Sequence, residues 1–168
     1  KMYAFSASGG ILWKFEGASG RIWASPVVAD FRDDDRLEVV FAARGQIFML
    51  DSVGQILSGF PVSCDDELRS IGAGDVDGIG QLDIVVATTN GGPGDVLHAL
   101  HANGAPVAGF PPLASGTSGC EIDDRCYLAG AYDQNIAVGD LDVDGLHDIV
   151  APHDNAYTSI HSGSGAAF

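Results

Sequence analysis

Apolar residues occur along the chain in short runs separated by turns rich in Gly, Asp and Ser. The longest runs, such as 39–43 (VVFAA) and 84–87 (IVVA), contain four to five residues. That length suits a buried β-strand, whereas a helix that spans a bilayer needs about 20 apolar residues. The runs are rich in β-branched residues and are bounded by Gly or Asp. The pattern therefore predicts an all-β fold of short strands, with no membrane insertion.

A first repeated signature combines a small apolar pair, an Asp-rich turn and an acid followed by a β-branched run. It occurs three times, as VVADFRDDDRLEVVFA from Val27, GAGDVDGIGQLDIVVA from Gly72 and AVGDLDVDGLHDIVAP from Ala137. In each copy the last acid lies eight positions after the first. The aligned pairs are Asp30 and Glu38, Asp75 and Asp83, and Asp140 and Asp148.

A second signature alternates with the first and reads as a strand, a Gly turn and a return strand that ends in Phe. Its copies are YAFSASGGILWKF from Tyr3, FMLDSVGQILSGF from Phe48 and HALHANGAPVAGF from His98, with a shorter version, TSIHSGSGAAF, that ends at Phe168. Together the two signatures predict four short antiparallel strands in each unit. For the first full unit we expect strands near 25–29, 38–43, 46–50 and 55–60, joined by turns at Arg44-Gly45 and Val53-Gly54.

Four short antiparallel strands in about 45 residues are typical of one blade of a β-propeller. The predicted organisation is a half blade at 1–15, blades at 24–63, 70–113 and 134–168, and an insertion at 114–133. The chain thus holds about three and a half blades, whereas closed propellers typically have at least four. We expect either a part of a larger propeller or self-association that covers the open blade faces.

The charge is strongly acidic, with 8 basic and 23 acidic residues and a formal net charge of −15. Nucleic acids are bound through clustered Lys and Arg, so the composition argues against nucleic acid as a partner. Of the acids, 19 are Asp and 4 are Glu, and Gly reaches 23. Because Asp and Gly favour turns, these counts also indicate a β-rich, turn-rich fold.

The strongest candidate site is the acidic loop of the third unit. Its carboxylates belong to Asp140, Asp142, Asp144 and Asp148, at loop positions 1, 3, 5 and 9, and the carbonyl of Leu146 stands at position 7. Alternating residues of a tight loop can turn their oxygens inward, and hard cations with 6 to 8 oxygen ligands suit such a set. We expect Ca²⁺ here, ahead of Mg²⁺. The alternative is that these residues only form turns by bonding the local backbone.

The other two loops carry weaker versions of this pattern. In the second unit Asp75, Asp77, the carbonyl of Gln81 and Asp83 are the candidate metal ligands, but Ile79 occupies position 5. In the first unit Arg32 occupies position 3, and its guanidinium can neutralise the loop acids in place of a cation. We expect a salt-bridged loop without metal in the first unit.

These residues resemble a known family of repeats. The segments VGDLDVDGLHDIVAP and AGDVDGIGQLDIVVA, with the Gly-Phe-Pro that closes two units, look like FG-GAP/VCBS repeats. Such repeats form the calcium-binding blades of integrin α-subunit propellers and of many bacterial secreted and surface proteins. The resemblance implies a non-catalytic Ca²⁺-binding module for protein or glycan interaction or adhesion, outside the cell. GGILWKFEG also looks like the repeats of quinone-dependent enzymes, but that likeness is confined to the surroundings of Trp13.

The cysteines and aromatic residues add further expectations. Cys120 and Cys126 bracket a five-residue segment inside the insertion and predict a local disulfide, as found in extracellular, cell-surface or periplasmic proteins; three reduced thiols are the alternative. His147 is expected to point outward from the third loop. Four large aromatic residues are expected to pack blade against blade rather than to bind sugars, namely Trp13, Trp23, Phe60 and Phe110.

Two other functions stay open at this point. The chain could be the propeller part of a secreted enzyme, such as a polysaccharide lyase or a quinone dehydrogenase, with catalytic residues outside this segment or in the insertion. Asp123, Asp124 and Asp133 could form an acid pair for glycoside hydrolysis, although carboxylates in an Asp-rich chain also meet by chance. It could also be an architectural spacer on a cell surface, which needs no ligand.

Overall fold

The computed structural model describes residues 1–64, 67–88, 97–110, 135–152 and 158–166. These residues form short antiparallel strands and no helix, which confirms the all-β expectation. No helix long and apolar enough to cross a membrane occurs among them. The strands are β1 Met2–Phe5, β2 Ile11–Phe15, β3 Val27–Ala29, β4 Glu38–Ala43, β5 Gln46–Leu50, β6 Val62–Ser63, β7 Leu68–Gly74, β8 Asp83–Thr88, β9 Leu97–Leu100, β10 Ala137–Gly139, β11 Asp148–Pro152 and β12 Thr158–His161.

The strands form a two-stranded hairpin and three larger sheets, each an antiparallel meander. The N-terminal hairpin pairs β1 with β2; sheet 1 has the order β3-β4-β5-β6, sheet 2 the order β7-β8-β9 and sheet 3 the order β10-β11-β12. The two repeated signatures thus appear as one sheet per unit. No described strand of one sheet pairs with a strand of another, and the described residues do not form a closed ring.

The outer strand of sheet 1 differs from the one expected at 55–60. Ile56 makes only an isolated bridge to Leu50, and the chain then closes a turn in which the Phe60 amide donates to the Leu57 carbonyl at 3.2 Å. The paired edge strand is β6, whose Val62 lies opposite Ile47. Phe60 is buried at this turn, so the chain has to bend before it can pair again. The turns at Arg44-Gly45 and Val53-Gly54 form where they were expected.

The core lies between sheets, because the central strands are buried on both faces. In β8, Ile84 and Val86 belong to a cluster shared by sheets 1 and 2, whereas Val85 and Ala87 belong to a cluster shared by sheets 2 and 3. β4 follows the same two-residue period. Its Val40 and Ala42 face sheet 2, and its Phe41 and Ala43 face the N-terminal hairpin. Since side chains alternate across a strand, sheets 1 and 2 are each packed between two neighbours, whereas sheet 3 packs on sheet 2.

Neighbouring units also contact each other through their Gly turns. A Cβ atom on Gly59 would lie 2.0 Å from the Asn103 carbonyl oxygen, and one on Gly109 would lie 1.9 Å from the Ser164 carbonyl oxygen. At the N-terminal end, the Trp13 indole Nε1 donates to the Ser52 carbonyl at 3.1 Å. Turns of successive units are thus pressed against one another. Trp13 packs between units as expected.

We expect Gly59→Ala to destabilise the protein by about 2 to 5 kcal/mol, measured by urea unfolding. Gly59 has φ 91°, so alanine there bears both a backbone cost and a clash with Asn103. Gly9→Ala is the matched control, because Gly9 has φ 84° and a Cβ added there would meet only open space. It should lose only the backbone cost of about 1 to 2 kcal/mol. Equal losses in the two variants would contradict packing of units through this turn.

Candidate metal loops

The three acidic loops occupy the same position in sheets 1 to 3. The first acidic loop (30–37) joins β3 to β4, the second (75–82) joins β7 to β8, and the third (140–147) joins β10 to β11. In every case the last acid of the repeat is the first residue of the strand that follows. These residues pair with the ends of the preceding strands, as Ala29 with Glu38, Gly74 with Asp83 and Gly139 with Asp148.

The last acid of each repeat is a buried carboxylate. Glu38 is 0% exposed, Asp83 1% and Asp148 2%. One oxygen of each accepts a backbone N–H from the residue after the first acid. These donors are Phe31 at 2.9 Å, Val76 at 3.1 Å and Leu141 at 2.8 Å. Burying a carboxylate is costly unless the charge is hydrogen-bonded and compensated, so each of these residues also needs a positive partner.

The first acid of each repeat is bound by its own loop. Its Oδ2 accepts the amide five residues later, for Asp30 from Asp35 at 2.8 Å, for Asp75 from Gly80 at 3.0 Å and for Asp140 from Gly145 at 3.1 Å. The turn-forming role that the sequence left as an alternative is therefore present in all three loops. It does not exclude a cation, since a carboxylate has about four acceptor sites.

The loops share one backbone conformation although their side chains differ. Loop positions 4 and 6 have positive φ in all three loops. The residues at these positions are Asp33 and Asp35, Gly78 and Gly80, and Val143 and Gly145. What distinguishes the loops is therefore how the buried acid is neutralised.

In the first loop the partner is Arg32, as the sequence analysis expected. Arg32 Nε lies 3.1 Å from Glu38 Oε1, and Arg32 Nη2 lies 3.0 Å from Asp34 Oδ2. One guanidinium therefore neutralises the buried acid and a loop acid together. Because Arg keeps its charge at any ordinary pH, this loop needs no cation.

In the second loop the partner is His101, from the turn after β9. His101 Nδ1 lies 3.0 Å from Asp83 Oδ1 and 3.8 Å from Asp77 Oδ2. Burial raises the pKa of Asp83 and the charge of Asp77 adds to the rise, while the Val76 amide and His101 act against it. Asp77, Asp83 and His101 offer ligand atoms within 4.8 Å of one another.

Asp75, one of the ligands expected in the second loop, is not in this group of three. The carbonyl of Gln81 stays a prediction. Asp75 Oδ1 is buried and has no hydrogen-bond partner, while Gln81 is exposed. Ile79 at position 5 has no ligand atom in its side chain. The third member of the group is His101, which comes from outside the loop.

Sequence reasoning missed His101 because it lies 18 residues after Asp83 and outside the loop. A signal is nevertheless present in the hairpin turns, whose first residues align as Ser6, Asp51, His101 and Ser162. Ser6 and Asp51 accept amides of their own turns, and Ser162 bonds Ser164. Histidine is the exception at this position, and it reaches the acidic loop instead.

In the third loop three carboxylates meet, and no cationic side chain of the described part of the chain joins them. Oxygen atoms of Asp140, Asp142 and Asp148 lie within 4.8 Å of one another. Desolvation and then the charge of Asp144 raise the pKa of Asp142, with Asp148 and Asp140 adding to the rise. Among the described residues no Lys, Arg or His forms an ion pair with Asp148.

Asp144, expected at position 5 of the third loop, is not in this group of three, and the carbonyl of Leu146 stays a prediction. Asp144 Oδ1 accepts the Leu146 amide at 2.8 Å, so its carboxylate is bound by the loop. The donor set of the third loop consists entirely of oxygen atoms. This chemistry fits a hard cation such as Ca²⁺.

His147 does not point outward as expected, but joins the third loop to the second. Its Nδ1 accepts the Asp75 amide at 3.0 Å, and its own amide donates to the Asp75 carbonyl at 3.1 Å. A Cβ on Gly74 would lie 2.7 Å from this nitrogen, so the contact requires glycine at that position. Because Nδ1 accepts a hydrogen bond, the ring proton lies on Nε2.

Several expectations lie outside the described residues. They are the insertion at 114–133, the disulfide between Cys120 and Cys126, and the acids Asp123, Asp124 and Asp133.

Trp23 differs from the packing role expected of it. It is 41% exposed, and its indole Nε1 donates to Glu67 at the edge of a cleft. Phe60 and Phe110, by contrast, are buried in the clusters between sheets.

No family model matches this chain, and no curated protein matches it. Among solved structures it is similar to the Vibrio cholerae biofilm matrix protein Bap1, with 17% sequence identity and a TM-score of 0.40. The match covers 95% of this chain and 30% of that one, so the chain spans less than a third of the length of this neighbour.

In metal-free buffer, His101→Ala should lower the free energy of unfolding by about 1 to 3 kcal/mol, because buried Asp83 loses its partner. In an Asp83→Asn background the same substitution should cost clearly less, since no buried charge is left. Urea unfolding of the four proteins of this double-mutant cycle measures the coupling. Identical costs in the two backgrounds would show that His101 does not act through Asp83.

Proposed function

We propose that the chain is a non-catalytic β-propeller segment of FG-GAP/VCBS type, stabilised by Ca²⁺ in its third loop, that serves interaction or adhesion outside the cell. The observation that carries this proposal is the environment of Asp148. This carboxylate is buried, has no cationic side chain beside it among the described residues and gathers two further carboxylates. A divalent cation supplies the missing positive charge.

Comparison of the loops supports a cation in the third loop in particular. The buried acid of the first loop is paired with the Arg32 guanidinium, and that of the second loop is hydrogen-bonded to the His101 imidazole. The third loop has the same backbone conformation and a carboxylate where the first loop has Arg32. Among the three buried acids, Asp148 alone has no cationic or imidazole partner among the described residues, so we propose that a bound cation supplies the positive charge. Ca²⁺ fits better than a softer metal because all three gathered ligands are oxygens.

The second loop is a weaker candidate for the same ion. Its group of three includes an imidazole nitrogen, which Ca²⁺ does not favour, and His101 already bonds Asp83. A cation at Asp77 and Asp83 would have to displace that bond. We therefore assign the Ca²⁺ that stabilises the protein to the third loop.

The propeller assignment is supported by the repeated packing of the sheets. The first two units place a buried central strand between two neighbouring clusters, as β8 does with Ile84 and Val85 on its opposite faces. Sheets stacked in this way around an axis are the arrangement of propeller blades. We propose that the described units form part of a larger propeller or of a self-associating one.

An extracellular, cell-surface or periplasmic location is proposed with the calcium site. Ca²⁺ sites of extracellular modules have dissociation constants of about 10⁻⁴ to 10⁻³ M, and a loop with three converging carboxylates can fill in that range. The partner is proposed to be a protein or a carbohydrate. No specific observation in the described residues favours the secreted-enzyme alternative.

Saturating Ca²⁺ should stabilise the protein by about 3 kcal/mol at a concentration a hundred times the dissociation constant. For a chain of this length this corresponds to a rise in Tm of about 5 to 10 °C, measured by scanning calorimetry with and without Ca²⁺. Asp140→Asn should raise the half-saturating Ca²⁺ concentration at least about tenfold, because a charged ligand is lost.

Asp30→Asn is the matched control for that substitution. Asp30 and Asp140 each accept two loop amides, from Asp34 and Asp35 and from Asp144 and Gly145. Both variants should lose similar stability without metal, but Asp30→Asn should keep the wild-type response to Ca²⁺. An unchanged wild-type Tm at millimolar Ca²⁺, or an equal effect of both variants on the response, would overturn the proposal.

A further inference from the structure

A second candidate site lies between the N-terminal segment and sheets 1 and 2. It is an open cleft of about 720 Å³, lined by the side chains of Arg21, Trp23, Arg44, Glu67 and Arg69. Its volume falls within the range of about 300 to 1,000 Å³ that is usual for ligand sites. The chain has only 8 basic residues against 23 acids, and three of the basic residues line this one cleft.

The backbone brings the three arginines together at the hairpin turn between β4 and β5. The Arg44 amide donates to the Arg21 carbonyl at 3.0 Å, and the Leu68 amide donates to the Arg44 carbonyl at 2.8 Å. Segments from both sides of the cleft are therefore attached to one residue. A Cβ on Gly20 would lie 2.5 Å from Arg44 Cγ, so the aliphatic part of Arg44 packs on that glycine.

Trp23 and Glu67 hold one wall of the cleft in place. The guanidinium of Arg69 lies 4.1 Å from the Trp23 ring centroid, and that of Arg21 lies 5.3 Å from it. Glu67 accepts from the Trp23 indole and forms an ion pair with Arg69 at 3.2 Å. Cation–π contacts of this kind fix guanidinium groups without neutralising their charge.

Among the described residues that line the cleft, Glu67 is the one carboxylate. Glu67 pairs with Arg69, whereas neither Arg21 nor Arg44 forms an ion pair with a described residue. The described lining thus combines three positive charges with one negative charge, in a protein of net charge −15. Since no described carboxylate pairs with Arg21 or Arg44, their guanidinium groups are available to an anionic ligand.

We propose that this cleft binds an oxyanion, namely the carboxylate, sulfate or phosphate group of a ligand, through the guanidinium groups of Arg21 and Arg44. Guanidinium presents two parallel N–H donors that match two oxygens of such a group. Trp23, Arg69 and Glu67 form the wall that positions Arg21. This site shares no residue with the acidic loops, and its occupation is independent of the calcium proposal.

The test is titration of the 168-residue chain with sodium sulfate, phosphate and glucuronate, followed by isothermal calorimetry at constant ionic strength. The protein is freed of metal on a chelating resin, because soluble chelators are themselves anions. Anion concentrations up to about 20 mM cover dissociation constants near 1 mM, which correspond to about −4 kcal/mol. Comparison of the three affinities shows whether the ligand group is a sulfate, a phosphate or the carboxylate of a sugar.

Arg21→Gln and Arg44→Asn should each raise the dissociation constant of the most tightly bound anion at least about tenfold, because each substitution removes a charged donor pair. Asn is chosen at position 44 because Arg44 has φ 54°, which Asn tolerates better than most residues. Arg36→Gln is the control, since Arg36 is exposed in the first acidic loop and carries the same charge away from the cleft. The affinity of the Arg36→Gln variant for the same anion should stay within about twofold of the wild-type affinity.

The outcomes separate a site from general charge attraction. Saturable binding that is lost in the two cleft variants and kept in Arg36→Gln supports the proposal. Equal weakening in all three variants, or no saturable binding of any of the three anions, overturns it. Because Arg21→Gln leaves the Arg44 turn intact, the test holds even if Arg44→Asn fails to fold.

Discussion

The buried carboxylate at the start of the second strand of each sheet is the constraint on which the acidic loops depend. Glu38, Asp83 and Asp148 are almost fully buried, and each accepts an amide from the loop that precedes it. That bond closes the loop against the strand, but it leaves a negative charge in a poorly solvated position. A buried carboxylate is tolerated only when its charge is compensated or its polar atoms are hydrogen-bonded. The first unit supplies the Arg32 guanidinium, the second hydrogen-bonds Asp83 to the His101 imidazole, and the third, in our proposal, binds a calcium ion.

The sheet architecture was predictable because it rests on local periodicity. The alternation in β8 and β4, whose successive residues face different clusters, follows from apolar runs bounded by Asp and Gly. The outer strand of sheet 1 was misplaced because 55–60 has a strand-like composition, while Phe60 is drawn into the core and turns the chain before Val62 can pair. The burial of Phe60 in the core accompanies the later start of this strand, and a local sequence pattern does not predict such a contact.

The site was predictable to the extent that its ligands are close in sequence. The spacing of Asp140, Asp142 and Asp148 identifies a loop whose carboxylates do converge, and Arg32 neutralises its loop as its position indicates. His101 and His147 could not be placed in this way, because their partners Asp83 and Asp75 belong to other segments of the chain. The arginines of the cleft are likewise spread over 21–69 and meet only through the backbone bonds of Arg44. Contacts between units require the packing of whole sheets, which a repeat pattern alone does not specify.

The contact of His147 with Asp75 makes the third loop more than a local feature. His147 immediately precedes the buried Asp148, and both its ring and its amide bond the backbone of the second loop. Whatever fixes the position of Asp148 therefore also fixes one end of the neighbouring acidic loop. In the proposed calcium-bound state, the ion would order the third loop directly and the start of the second loop through this pair of hydrogen bonds. One cation can thus contribute to the attachment of two units, so the stability of both would depend on a single oxygen site.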